Sequence, residues 1–118
     1  MAKMLIADDA APMRMRCSRL LIANGHEVIE ATNGVEALEK FKEHRPDAVL
    51  LDITMPKMDG IMALREIKKI DPDAKVAMVT AMGQPVYVMN ALKAGARDFI
   101  VKPFDGDKLL TTVNKLLS

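Results

Sequence analysis

The chain has 118 residues, half of them hydrophobic and 28% charged, with a formal net charge of +1. That is the size and balance of one globular domain around a single core, and it argues against a global nucleic-acid or anionic-membrane surface. Cys17 is the only cysteine, which excludes an internal disulfide, and no Cys/His spacing suits zinc.

The first apolar run, 4–7 within a strand Lys3–Ala7, ends on Asp8-Asp9. Residues 12–23 carry Met13, Cys17, Leu20 and Leu21 at helical spacing; Pro12 suits a first turn and Asn24-Gly25 is a stop signal. Cys17 falls on that apolar face, which predicts a buried, inert thiol. Glu27–Ala31 is a more polar strand, the pattern of a sheet edge. Asn33-Gly34 turns the chain into a helix over 35–44 with Leu38 and Phe41 inward. Pro46 ends that region, and Ala48–Leu51 is a continuous apolar run, typical of a strand covered on both faces, that stops at Asp52. Asp59-Gly60 closes a loop ahead of a helix over 61–70, with Leu64 and Ile67 inward, and Asp71-Pro72-Asp73 is a turn. A fourth strand, 76–79, meets Thr80, and a helix over 84–94 is stopped by Gly95. A fifth strand, 99–101, meets Lys102, and Gly106–Leu117 forms a last helix with Leu109, Leu110, Val113, Leu116 and Leu117 at helical spacing. No linker, repeat or low-complexity tract interrupts the alternation, so residues 1–118 are read as one domain.

Five βα units with short connections predict an α/β fold: a parallel five-stranded sheet with helices on both faces, too few units for a closed eightfold barrel. The strand order 2-1-3-4-5 is borrowed from the doubly wound, flavodoxin-like three-layer sandwich. In that order Asp8-Asp9, Asp52, Thr80 and Lys102 share one crevice at the carboxyl edge of the sheet.

Two carboxylates about 4 Å apart repel by roughly 4 kcal/mol at an effective dielectric near 20. Asp8, Asp9 and Asp52 would therefore raise their own pKa values unless a cation lay among them. Oxygen ligands without nearby His or Cys favour Mg²⁺, with Mn²⁺ as a substitute, and such an ion keeps open positions for phosphate oxygens. Asp52, central at the end of the third strand, is the best nucleophile toward phosphorus, and Asp8 and Asp9 are better placed to hold metal. Lys102 and Thr80 can stabilise charge on the transferring oxygens. Taken singly these residues say little: an acid after a strand often caps the next helix, Thr is common in strands, and Lys is usually solvated. Only their conjunction at consecutive strand ends carries weight.

Along essentially its whole length the chain resembles the receiver domains of two-component response regulators, in the segments MLIADDAAPMR, ATNGVEAL, AVLLDITMPKMDG, VAMVTAMG and AGARDFIVKPF. The resemblance implies that Asp52 receives phosphate from a sensor histidine kinase. It makes Asp9 a direct Mg²⁺ ligand, with Asp8 acting largely through water and the backbone carbonyl of Thr54 completing the set. Thr80 would contact the phosphoryl group, Lys102 would pair with it, and the Lys102–Pro103 bond would be cis. Output is expected as a population shift in which Thr80 moves and Phe99 turns inward. Chemotaxis receivers often carry Tyr at the position of Phe99, so no contact here can depend on a phenol. Thr54 and Met82 flank the phosphorylation site, and neither is an acid or amide suited to positioning water, so slow-to-moderate loss of phosphate is expected.

The chain ends with the last helix, so output is expected through protein contact on the face of the fourth helix, fifth strand and fifth helix, with Met89, Asn90, Lys93, Arg97 and Lys108 exposed there. The wording of DDAAPMRM, DITMPKMDG and TAMGQ is most similar to single-domain chemotaxis regulators, which signal to the flagellar motor switch. A phosphorelay intermediate passing phosphate to a histidine phosphotransfer protein is the alternative, and a dedicated phosphatase is a further expected partner. An FMN-binding electron carrier would share the fold, but it needs a hydroxyl- and glycine-rich loop where Asp8-Asp9 stands. An Asp-nucleophile phosphatase needs a second carboxylate where Thr54 stands. Ten methionines read mainly as core filler, the exposed few as an adaptable surface. No run approaches the ~18 apolar residues of a membrane span and no secretory signal opens the chain, so a cytoplasmic monomer is expected, without membrane or nucleic-acid partners.

Overall fold

A computed structural model describes all residues, Met1 to Ser118. Five strands and five helices alternate: β1 (Lys3–Ala7), α1 (Ala11–Ala23), β2 (Glu27–Ala31), α2 (Gly34–His44), β3 (Ala48–Leu51), α3 (Gly60–Ile70), β4 (Val76–Thr80), α4 (Pro85–Lys93), β5 (Asp98–Val101) and α5 (Gly106–Leu117). The sheet order is β2-β1-β3-β4-β5, and every pair is parallel. The register sets Ala7 beside Leu51, Leu51 beside Met78, and Thr80 beside Val101. The chain thus leaves β1, β3, β4 and β5 at one edge, and the next residues of the first two strands are Asp8 and Asp52.

Strand alternation sorts the core into two clusters, one on each face of the sheet. Leu5, Val49, Leu51, Val76 and Met78 face Phe41, Leu64, Ile67 and Ala91 of α2, α3 and α4. Met4, Ile6, Leu50, Ala77, Val79 and Ile100 face Cys17, Leu21, Leu109, Val113 and Leu116 of α1 and α5. β3 and β4 are buried throughout, whereas β2 is buried only at Ala31, as the polar sequence of an edge strand requires. The helices differ in anchorage: α5 buries Leu109, Thr112, Val113 and Leu116, while α4 buries Ala91 alone.

Three helices begin one residue earlier than their sequence patterns suggest. Asn33 and Asp59 are not loop residues ahead of a glycine turn; each is the N-cap of its helix, accepting from the backbone N–H of Glu36 and Met62. Gly34 and Gly60 are therefore first helical residues, and both are sites of close approach. A Cβ on Gly60 would lie 1.8 Å from the Asp52 carbonyl oxygen, and one on Gly34 would lie 1.9 Å from that of Met58. In α1 the helix also starts one residue early, at Ala11.

Candidate functional site

The ends of β1 and β3 bring one carboxylate oxygen each from Asp8, Asp9 and Asp52 within 4.8 Å of one another. Asp8 and Asp52 are buried, while Asp9 is exposed. Lys102 reaches into the gap from the end of β5, its Nζ donating to Asp8 Oδ2 at 2.5 Å and Asp52 Oδ2 at 3.1 Å. The other Asp8 oxygen accepts from the N–H of Ala10 at 2.9 Å. That bond shapes the turn out of β1 and is not a helix cap, since Ala10 itself is the N-cap of α1 and offers no side-chain acceptor. Asp52 Oδ1, buried, has no hydrogen-bond partner.

Burial pushes the Asp8 carboxyl above its ordinary range, against the opposing pull of the hydrogen bonds from Lys102 and Ala10. For Lys102, burial works against the charge, but the hydrogen bond to Asp8 and the attraction of both aspartates outweigh it and raise its pKa. The ammonium is the internal counter-ion of a site that carries more negative than positive charge. An incompletely neutralised, oxygen-only set with an unpartnered buried carboxylate oxygen fits a hard divalent cation.

Thr80, fully buried, lies on the same sheet face as Val76 and Met78. Its hydroxyl oxygen accepts from the N–H of Met82 at 3.2 Å, which leaves the hydroxyl proton to be donated elsewhere. Phe99, beside Met78, is half-buried against that same core cluster. The Lys102–Pro103 bond is cis. The β3–α3 loop carries Thr54, whose side chain is exposed, and turns sharply at Lys57, which has φ +69° while Met58 N–H donates to Pro56 O at 2.8 Å. Gly60 N–H closes that loop onto Ile53 O at 2.8 Å.

Met89, Asn90, Lys93, Arg97 and Lys108 are all exposed. On α4 the apolar side chains Val86, Met89 and Leu92 follow one another at three-residue spacing and are more than half exposed, a stripe of which the sequence analysis named only Met89. The larger surface cavity, about 530 Å³, lies between Met1, His26, Asp47, Asp73 and Lys75, remote from this edge, and gathers no converging ligand set. The chemistry belongs to the shallower acidic crevice. Arg14 also belongs to it and was missed: its guanidinium donates to the Asp8 carbonyl oxygen at 2.7 Å and to Glu30 Oε1 at 2.9 Å.

A doubly wound sheet whose carboxyl edge holds three acids around one lysine defines a receiver-type phosphoacceptor module. The comparisons with known proteins agree. The sequence family described as the response regulator receiver domain matches residues 4–114. The chain is 56% identical to the chemotaxis protein CheY of Bacillus subtilis over 117 residues, 98% of each chain, and 54% identical to CheY of Thermotoga maritima over 97% of this chain and 96% of that one. Its fold superposes with a TM-score of 0.94 on CheY in the CheX-CheY-BeF3-Mg²⁺ complex from Borrelia burgdorferi, at 39% identity, covering 98% of this chain and 89% of that one. The chain belongs to the response regulator receiver family and, within it, to the CheY type of chemotaxis response regulators, which are signalling switches and not enzymes. No helix is long and apolar enough to cross a membrane.

Proposed function

We propose that Asp52 is the phosphoacceptor and that its phosphorylation by a sensor histidine kinase switches binding of a flagellar motor component in the cytoplasm. The observation that carries this reading is Asp52 Oδ1, a buried carboxylate oxygen with no partner while Oδ2 is held by Lys102. One Asp52 oxygen attacks phosphorus while the other would face the cation. A new O–P bond forms, the P–N bond to the kinase histidine breaks, and the imidazole leaves with the electron pair. Lys102 keeps its hold on Asp52 and lies ready for a phosphoryl oxygen. Thr80 has its hydroxyl proton to donate to another, and its displacement frees space on the sheet face that Phe99 shares. Mg²⁺, or Mn²⁺ in its place, would be held by Asp8, Asp9, Asp52 and the carbonyl of Thr54, and would neutralise charge accumulating on the phosphoryl oxygens. The Borrelia burgdorferi relative was crystallised with BeF3 and Mg²⁺, which supports a Mg²⁺ site here.

Output runs through α4, β5 and α5, where Val86, Met89 and Leu92 offer an apolar stripe and Lys93, Arg97 and Lys108 are exposed cations. The same relative's complex with CheX supports a second protein partner beside the motor component. The test is incubation with Mg²⁺ and a small acyl phosphate, followed by intact mass, with Asp52→Asn in parallel. Gain of one phosphoryl group by the parent and none by the variant is expected. Equal gain by both would refute the assignment of Asp52.

A further inference from the structure

Asp9 presents a carboxylate to the acidic crevice and yet makes no side-chain hydrogen bond. Its direction is set by the backbone that carries it, so the groups that fix the Asp8–Asp9 peptide decide where that carboxylate stands. The Asp8 N–H is held by Ala31 O of β2 at 3.1 Å. The Asp8 carbonyl, which lies in the plane of the Asp8–Asp9 peptide, is held by Arg14 Nη1 at 2.7 Å. Arg14 is itself anchored, its Nε donating to Glu30 Oε1 on β2 at 2.9 Å, and its side chain is only 15% exposed. The guanidinium thus ties the first turn of α1 and the edge strand to one carbonyl, using two donors of a rigid fork that an ammonium cannot reproduce. The remaining brace is Asp8's own side chain, held by Ala10 N–H and Lys102, but neither of those contacts touches the Asp8 carbonyl, and the α1 N-cap is an alanine without a capping bond.

We propose that Arg14 is a positioning residue for Asp9, holding the Asp8–Asp9 peptide so that Asp9 points into the crevice as a ligand for a divalent cation. This rests on the reading of the acid cluster as a cation site. Electrostatics and positioning predict opposite signs. Removing a positive charge beside an acidic cluster tightens cation binding by Coulomb's law, whereas releasing the peptide weakens it. Removal of outer groups that orient metal ligands commonly costs 10- to 100-fold in affinity, and a carbonyl contact one peptide away from the ligand belongs at the low end, about tenfold.

The experiment is titration of the parent, Arg14→Gln and Arg14→Lys with Mn²⁺, following the free ion by its paramagnetic resonance signal, with urea unfolding in chelator as the folding control. About tenfold weaker binding is expected for both variants, since Arg14→Lys keeps the charge but not the fork. Phosphorylation by a small acyl phosphate should slow at limiting Mg²⁺ and recover at saturating Mg²⁺. Unchanged or tighter Mn²⁺ binding by folded Arg14→Gln overturns the proposal, as does a drop in urea midpoint with affinity intact. Should Arg14→Gln not fold, Arg14→Lys decides alone. A parent that binds no Mn²⁺ overturns the cation site itself, a result distinct from a binding parent with an equally binding variant.

Discussion

Gly60→Ala puts two well-known effects in opposition. At the first position of α3, alanine gains up to about 1 kcal/mol of helix propensity over glycine, and no left-handed backbone angle there resists the change. Against that, the added methyl would lie 1.8 Å from the Asp52 carbonyl oxygen and 2.7 Å from its carbon, where ordinary contact starts at 3.4 Å. Both neighbours are backbone, so no flexible side chain can yield. Either the end of β3 or the start of α3 must retreat, stretching the 2.8 Å bond from Gly60 N–H to Ile53 O. Overpacking of this kind costs about 1–3 kcal/mol and the bond about 1 more, leaving a net loss of about 2 kcal/mol after the propensity gain. For a domain this size that lowers the thermal midpoint by ~8 °C, readable by circular dichroism. Because the carboxylate of Asp52 travels with its backbone, phosphoryl uptake from a small acyl phosphate should also slow, at a temperature where both proteins are folded. A variant as stable as the parent would show that propensity prevails and that the close approach imposes no constraint.

Lys102→Met leaves the buried Asp8 and Asp52 carboxylates facing each other without their cation. Breaking such a pair costs about 3–5 kcal/mol at most; urea unfolding in chelator should show the loss and added Mg²⁺ should restore more stability to the variant than to the parent, an excess whose absence would count against the shared site. Cys17 has its pKa pushed from 9.0 up to about 11, chiefly by burial. Between those values the unfolded chain ionises while the folded thiol holds its proton, so stability falls as pH rises through that window, by roughly 2–3 kcal/mol in all. Cys17→Ala should lack this slope, and parallel urea midpoints at pH 8 and above pH 10 test it. Asp105 caps α5, its carboxylate accepting from Lys108 N–H at 2.8 Å. Asp105→Ala should cost about 1 kcal/mol by denaturant melting, with Mn²⁺ affinity unmoved.

What could be read from the residues alone was governed by periodicity. Apolar runs such as Ala48–Leu51 and the helical spacing along Gly106–Leu117 mark their elements because burial on one or both faces writes itself into the pattern. The helix starts were misjudged for a local reason. Asn33-Gly34 and Asp59-Gly60 are turn-like dipeptides, and only a folded backbone distinguishes a turn from a cap followed by a glycine packed against a carbonyl. The site divided in the same way. Asp8, Asp9, Asp52, Thr80 and Lys102 are legible because each ends or follows a strand, and topology brings strand ends together. Arg14 is not, because its contact is to a main-chain carbonyl and its anchor, Glu30, lies sixteen residues away on another strand. The split between buried Asp8, bound to Lys102, and exposed Asp9 also escapes the sequence, since adjacent identical residues differ only once the turn is built.

The uneven anchorage of the helices has an energetic consequence for signalling. With Ala91 as its single buried residue, α4 forfeits little apolar contact when it loosens, so its local opening is inexpensive beside that of α5. A soft helix exposing an apolar stripe must be stiffened by whatever docks on it, and that ordering weakens the bare interaction. By linkage, a protein that prefers the stiffened helix and a phosphoryl group that favours the same arrangement must reinforce each other equally. Occupancy of the docking face would then shift the equilibrium for phosphorylation by the same factor that phosphorylation shifts the equilibrium for docking.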